Sequence, residues 1–214
     1  MSAGVSIAAL RNSQPIGDQL CKFLNDKARV LEIASGTGQH GAYMCERRPD
    51  IIWQYSDVDP EYLAHQSTFV SDHHGRENFG TLLPPLRLDT TLPSTWAELE
   101  QKFDAVYCAN MIHIAPWEAA LGLAQCAARL VHDNGLVILY GPFLRDVNSA
   151  PSNLAFDQSL KSRDPRWGVR NLASVKHIFA DQGLELTAEI DMPRDNNLLV
   201  FRSFSIQAVC KAKT

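Results

Sequence analysis

The stretch Val30-Leu31-Glu32-Ile33-Ala34-Ser35-Gly36-Thr37-Gly38-Gln39-His40-Gly41 decides the fold. An apolar run ends at Ile33, two glycines follow within five positions, and a helix-compatible segment starts at Gln39, so the chain reads as strand, glycine loop, helix. Gly36 and Gly38 can take backbone angles closed to other residues, and without side chains they let a ligand lie directly on the main chain. The following helix turns its free N–H groups toward that ligand. Such a turn builds a nucleoside-cofactor site, with Ala34, Gly36, Thr37, Gly38 and His40 as the candidate contacts.

Two cofactors compete for this loop. Gly36, Gly38 and Gly41 fit the dinucleotide pattern G-x-G-x-x-G, and an acid lies about 20 residues on, as NAD recognition also requires. Glu32 points the other way. A carboxylate at the strand end repels a diphosphate, but attracts the ammonium of S-adenosylmethionine and accepts its hydrogen bonds. The residues favour S-adenosylmethionine, with S-adenosylhomocysteine as product, and the NAD reading stays open beside it.

Outward from this turn, strand-like apolar runs alternate with helical patterns, which predicts a largely parallel sheet covered on both faces. Helices are expected at about 14–25, 39–48, 60–72, 94–101, 116–131 and 172–182. Strands are expected at 29–34, 51–57, 85–89, 103–109, 136–141, 184–192 and 197–208. Only about four residues separate the last two strands, too few for a parallel crossover, so they form an antiparallel hairpin. The expectation is a doubly wound α/β fold, Rossmann-like, with a mostly parallel seven-stranded sheet closed by that hairpin. This pattern resembles the class I methyltransferase fold, and an ordinary dinucleotide domain does not need the hairpin.

Ligands of open α/β sheets bind beyond the carboxyl ends of the strands. The second strand ends in Ser56-Asp57-Val58-Asp59-Pro60. Asp57, with Val58 beside it, is expected to accept both ribose hydroxyls. Asp59 either shares that role or caps the helix beginning at Pro60, capping being its stronger reading. Asp89 is placed to accept the adenine amino group with Leu88 packed on the ring, or is a turn aspartate. After the fourth strand, Asn110 and Met111 are expected to floor the pocket beneath the methyl donor.

The length of 214 residues suits one domain, and no linker or repeat divides the chain. A net charge of −4 offers no basic field, so nucleic acid is not expected as a partner. The N-terminus lacks a signal-peptide pattern and no window is apolar enough for a membrane span, so a cytoplasmic protein is expected. Cys21, Cys45, Cys108, Cys126 and Cys210 are irregularly spaced and read as thiols outside any disulfide framework or zinc site. No metal site is expected. Oligomeric state is not encoded in any feature of the sequence.

Beyond the glycine loop, several uncommon strings occur. They include Arg11-Asn12 with Pro15-Ile16, Trp53-Gln54 before Ser56-Asp57, and Ala109-Asn110-Met111-Ile112-His113-Ile114 with Pro116-Trp117. Further on stand Tyr140-Gly141-Pro142-Phe143, Ser152-Asn153, Phe156-Asp157, Ser159-Leu160, Trp167-Gly168, Arg170, and Met192-Pro193 before Asn196-Asn197. Over nearly its whole length the chain resembles the methyltransferase-like 26 family. The resemblance implies a methyltransferase-like fold and S-adenosylmethionine binding, without an established acceptor. The chain departs from the family in a hairpin one residue longer, and in Asp146-Val147-Asn148 where a glycine is more common.

Residues 142–171 read as a loop-rich, lid-like insertion for a small polar acceptor, an anionic one included. Asn153, Trp167 and Arg170 are its candidate acceptor contacts, with Arg11 and Asn12 from the N-terminal side. A solvated helix whose Asp and Arg residues pair with one another is the alternative. Methyl transfer is an in-line displacement in which alignment supplies much of the rate. Where a base is needed, His113 and Asp157 are the candidates, with Tyr140 hydrogen-bonding the acceptor. The opposing reading of His113 is a structural histidine bonded through one ring nitrogen. Three functions follow: a small-molecule methyltransferase, a cofactor-binding protein that has lost catalysis and acts through partners, and an NAD-linked oxidoreductase.

Overall fold

Helix α1 (Ile7–Phe23) starts at Ser6, whose side chain accepts from Ala9 N–H, and runs through Pro15. The helix was expected from about residue 14 and begins seven residues earlier; Pro15 inside it removes only the bond to the Arg11 carbonyl, and the packing of Ile16, Gly17 and Leu20 outweighs that loss. The computed structural model describes residues 6–204, so Cys210 and positions 205–208 of the expected last strand lie outside the described residues. Strand β1 (Arg29–Ile33) leads through the glycine loop to α2 (Gln39–Arg47). Next come β2 (Ile52–Asp57), α3 (Pro60–His73) and β3 (Thr81–Arg87). Strand β4 (Phe103–Ala109) precedes α4 (Trp117–Leu130) and β5 (Val131–Pro142). The chain then forms α5 (Pro151–Arg163), α6 (Leu172–Ala180), β6 (Leu184–Met192) and β7 (Asn196–Ser203).

The strands form a seven-stranded sheet in the order β3-β2-β1-β4-β5-β7-β6. Pairs β1–β2, β1–β4 and β2–β3 are parallel, and β7 runs antiparallel to both β5 and β6. The hairpin between β6 and β7 turns through Arg194 and Asp195, both left-handed at φ 62° and 56°. The α/β, mostly parallel architecture with its antiparallel closing strands is the one read from the sequence.

Strand β5 begins five residues before its expected start, and three other elements after α1 differ from expectation. Strand β3 begins four residues early and contains Pro84 and Pro85, which an edge strand tolerates because its outer side needs no N–H donors. The expected helix at 94–101 is reduced to a 3-10 turn, Pro93–Thr95, followed by turns in which only Trp96 is buried. A segment that short, with no apolar face to dock, does not hold a helix. The third difference is α5, which places 13 residues of helix inside the segment expected to be loop-rich. It buries Asn153, Asp157 and Leu160, which share one face at i, i+4 and i+7. A buried stripe made mostly of polar residues carries no hydrophobic period to read.

The chain divides into two compact units. The first holds the chain to Asp89 with Phe103–Ala109, and in it α2 and α3 pack on β2 and β3 while α1 packs on α2. Its core includes Trp53, Tyr55, Phe103 and Tyr107, all fully buried. The second holds Thr90–Lys102 and the chain from Asn110, with α6 packed on β6 and α4. Phe179 stacks on Phe201 at its centre. Among the described residues no helix is long and apolar enough to cross a membrane. Cys45, Cys108 and Cys126 are buried, Cys21 is half-buried, and none of the four is in a disulfide, while burial pushes Cys45 and Cys126 up to about 12.

Candidate functional site

The loop after β1 has three residues with positive φ in five positions: Ala34 at 55°, Gly36 at 52° and Gly38 at 73°. At Gly36 the space that a side chain would occupy is open, with no other atom within 4 Å. A Cβ at Gly38 would stand 3.3 Å from the Tyr55 ring, and the Tyr55 hydroxyl donates to the Gly38 carbonyl at 2.6 Å. Gly41 has a different role. A Cβ there would lie 2.5 Å from Trp53 and Tyr55, so this glycine lets α2 press against β2.

The loop is fastened from outside. Gly36 N–H donates to Asp57 Oδ2 at 2.9 Å, Gln66 Nε2 donates to the Gly36 carbonyl at 2.8 Å, and Ser35 N–H donates to the Ser56 carbonyl at 2.8 Å. Thr37 is buried with its hydroxyl on Gln39 Oε1. Asp57 Oδ1 also accepts from Val58 and Asp59 N–H at 2.8 and 3.1 Å. A carboxylate offers about four lone-pair sites, so this leaves roughly one, on Oδ2. Burial raises the Asp57 pKa, and the three N–H donors pull against that. Asp59 caps α3 through Glu61 N–H, with Pro60 in the first turn. Val58 is exposed, Leu88 is buried with its N–H on the Asp57 carbonyl, and Asp89 is half-buried.

Glu32 is not an open anion at the end of β1. It is 2% exposed, Oε2 accepts from Trp53 Nε1 at 2.9 Å, and Oε1 lies 3.4 Å from His40 Nδ1. His40 Nε2 in turn meets Asn12 Oδ1 at 3.0 Å, and its ring stands edge-on to Tyr107. Both oxygens of Glu32 are therefore engaged, and Asn12, expected near the acceptor, is tied to α2 through His40. Arg11 is exposed. Trp53, a core residue, is also the donor that fixes Glu32.

In the second unit, Asn110 is left-handed at φ 61° and donates its N–H to the Tyr140 carbonyl at 2.8 Å. It opens the 3-10 turn Met111–His113 without using its side chain as a cap. Met111 is half-buried and Tyr140 is buried. His113 is 1% exposed; its Nδ1 accepts Arg170 N–H at 3.3 Å and Nε2 has no partner. Burial, assisted by the Arg170 charge, lowers the His113 pKa to about 3. The ring is thus neutral at physiological pH. A Cβ on Gly141 would come within 2.6 Å of its Nε2, so the glycine inside β5 is required by a close approach.

The charged residues of 142–171 turn inward or pair with one another. Asp157 Oδ1 accepts Val169 N–H at 2.9 Å and Oδ2 accepts Lys161 Nζ at 2.6 Å. Arg170 donates to the Ile112, Ala115 and Arg166 carbonyls and lies over the Trp117 ring, bracing the turn after β4. Asn153 donates to the Asp195 carbonyl at 2.9 Å, anchoring α5 to the β6–β7 turn. Trp167 is half-buried beneath the Arg163 guanidinium, and Arg166 is paired with Asp164. Asp157 and Arg170, expected to face the acceptor, are bonded within the protein, to Lys161 and Val169 and to backbone carbonyls, while Arg166–Asp164 is an Asp–Arg pair of the kind the solvated-helix alternative describes.

Solved structures share this architecture. An O-methyltransferase family protein from Burkholderia thailandensis superposes with a TM-score of 0.76 at 18% identity, covering 93% of this chain and 58% of that one. The S-adenosylmethionine-dependent methyltransferase SibL gives 0.72 at 15% identity, covering 92% of this chain and 56% of that one. A putative sarcosine dimethylglycine methyltransferase from Galdieria sulphuraria gives 0.67 at 12% identity, with 92% and 87% covered. The chain spans little more than half the length of the first two. At these identities the likeness is one of fold, that of the class I S-adenosylmethionine-dependent methyltransferases. The sequence itself matches, over residues 4–203, the family described as "Protein of unknown function (DUF938)", and the chain belongs to that family.

Proposed function

We propose that the protein is an S-adenosylmethionine-dependent methyltransferase acting in the cytoplasm on a small polar molecule, and that it corresponds to the methyltransferase-like 26 group. The observation that carries this reading is the open space at left-handed Gly36, whose N–H is held on Asp57 at the end of β2. That is a main-chain surface cleared for a nucleoside beside a carboxylate with a remaining lone pair. The loop at Gly36, Thr37 and Gly38 would hold the cofactor, with Asp57 for a ribose hydroxyl and Leu88 and Asp89 near the base. Bound there, the cofactor supplies a methyl group already activated on a sulfonium sulfur. Glu32 is buried and already meets Trp53 and His40, so an ammonium would have to compete with those contacts to bond it directly.

The chain's own groups favour alignment over proton abstraction. His113, with its pKa lowered to about 3, is a weak base, and Asp157 is buried and already accepts from Val169 and Lys161. An acceptor that reaches the site without needing a strong base fits this arrangement. The same observation favours, as a second reading, a cofactor-binding protein without catalysis.

Calorimetry with S-adenosylhomocysteine, S-adenosylmethionine and NADH tests the proposal. Micromolar binding of the first two and none of NADH is expected, and Gly36→Ala, which fills the cleared space, should weaken S-adenosylhomocysteine at least tenfold. Tighter binding of NADH than of S-adenosylhomocysteine would sink it. Turnover of no member of a broad acceptor panel by a chain that binds the cofactor would favour the second reading.

A further inference from the structure

Of the 14 residues of α3, Gln66 alone is buried, and it is 0% exposed. A helix ordinarily anchors to a sheet through apolar side chains, because an amide loses its water on burial and recovers that loss only through hydrogen bonds. Gln66 makes one. Its Nε2 donates to the Gly36 carbonyl at 2.8 Å, while Oε1 is buried without a hydrogen-bond partner among the described residues. The bond fixes which way the amide faces, since the reverse orientation would set Oε1 against a carbonyl oxygen. A methionine would fill the same length without a stranded oxygen, so what the glutamine adds is its N–H donor.

That donor acts where the glycine loop needs it. Gly36 N–H is held by Asp57 Oδ2 at 2.9 Å, and the Ser35 carbonyl of the same peptide plane accepts from Gly38 N–H at 2.9 Å. Those bonds hold the plane before the Gly36 Cα. The plane after it is held through its carbonyl by Gln66. Two planes held on either side of one Cα set both of its backbone angles, here with φ at 52°. Glycine reaches many other angles at little cost, so without these bonds nothing intrinsic would keep Gly36 at this one. Gly36, Asp57 and Gln66 all belong to the first compact unit.

We propose that Gln66 is a positioning residue of the candidate cofactor site: it locks Gly36 in the left-handed conformation whose side-chain position is open, without touching the ligand itself. The dependence of cofactor affinity on this lock rests on the methyltransferase reading; the lock does not.

Hydrogen exchange of the full chain and calorimetry with S-adenosylhomocysteine test it in two variants. Gln66→Met keeps the length and removes the donor, and Gln66→Glu donates only when protonated. Burial and the neighbouring Asp57 charge raise the introduced carboxyl, so it takes up its proton as the pH falls from 8 to 5. At pH 8 both variants should lose protection at the Gly36 amide at least tenfold, while the Leu31 amide in β1 keeps its own. Both should also bind S-adenosylhomocysteine at least tenfold more weakly. By pH 5 Gln66→Glu should regain at least fivefold in each measure, because the protonated carboxyl donates to the Gly36 carbonyl. Gln66→Met should regain nothing beyond the change seen in the wild type. Undiminished Gly36 protection in Gln66→Met, equal loss at Leu31, or recovery in both variants alike overturns the proposal. No recovery of Gln66→Glu by pH 5 overturns it too, as does lost protection with affinity intact. Should Gln66→Met fail to fold, Gln66→Glu at the two pH values decides. A wild type that does not bind S-adenosylhomocysteine removes the cofactor reading, and the exchange measurements still decide the lock.

Discussion

Around residues 34–38 a backbone held by internal hydrogen bonds faces open space at Gly36, whereas along residues 142–171 ionic side chains carry much of the polarity and turn it toward the protein itself. At the loop, Gly36 faces clear space while Asp57, Gln66 and Ser56 hold the backbone from outside. In the later segment, Asp157, Arg170 and Asn153 each join residues far apart in sequence. A ligand surface made of backbone keeps its shape when side chains vary, but it needs a fixed frame. A dense mixture of charges is often that frame and not the binding surface.

The largest expected effect tests whether Glu32 belongs to the frame. Removing a buried, partnered carboxylate leaves Trp53 Nε1 without an acceptor, so Glu32→Ala should lower unfolding free energy by about 3–5 kcal/mol in urea titration. A loss below about 1 kcal/mol would show that Glu32 is dispensable to the fold and reserved for a ligand.

The next effect comes from His113. Its pKa is lowered from 6.5 to about 3 in the folded chain, so below 6.5 the unfolded state takes up a proton that the native state refuses. The stability tied to the neutral ring is complete above that pH and falls as acid is added, by roughly 1.4 kcal/mol per pH unit, until the folded value is reached. Between pH 6 and pH 4.5 the wild type should thus lose about 2 kcal/mol more than His113→Phe. Parallel stability curves for the two proteins would mean that His113 accepts a proton while folded.

How much could be read beforehand follows from the range of the forces. The glycine loop was legible because Gly36 and Gly38 are required by their own backbone angles, and the strands were legible because residues such as Val30 to Ile33 are buried on both faces. Asp59 and Pro60 announced their cap within three positions. Helix α5 was not legible, since two of its three buried residues are Asn153 and Asp157. The setting of Glu32 depends on Trp53, 21 residues later, and that of His113 on Arg170, 57 residues later. Charge at Glu32 could be seen in the sequence; its partners could not. A glycine in the middle of apolar β5 was the available signal for the close approach at Gly141.

Arg170 sharpens the comparison at smaller cost. Arg170→Ala strips donors from the Ile112 and Ala115 carbonyls of the turn after β4 and from the Arg166 carbonyl, so a destabilisation of about 2 kcal/mol is expected. S-adenosylhomocysteine affinity should stay within twofold by calorimetry. A tenfold loss of affinity without loss of stability would place Arg170 at the ligand and erase the contrast between the two regions.

The smallest effect concerns Lys161. Its ammonium meets Asp157 within one helical turn, but the Lys161 side chain is 55% exposed while that of Asp157 is 10% exposed. An exposed partner gains little from the pair because water and salt screen it, and Lys161→Ala should cost only about 0.5 kcal/mol, less at high ionic strength. Asp157→Ala should cost about 2 kcal/mol, since it also leaves the buried Val169 N–H without its acceptor. The two changes remove the same ion pair, so their difference isolates the bond from Asp157 to the backbone of residue 169. Denaturation of both variants at low and high salt measures it. If Lys161→Ala is as damaging as Asp157→Ala, the ion pair and not the backbone bond fastens α5, and the charges of this segment stabilise it by attraction where the geometry assigns that work to hydrogen bonding.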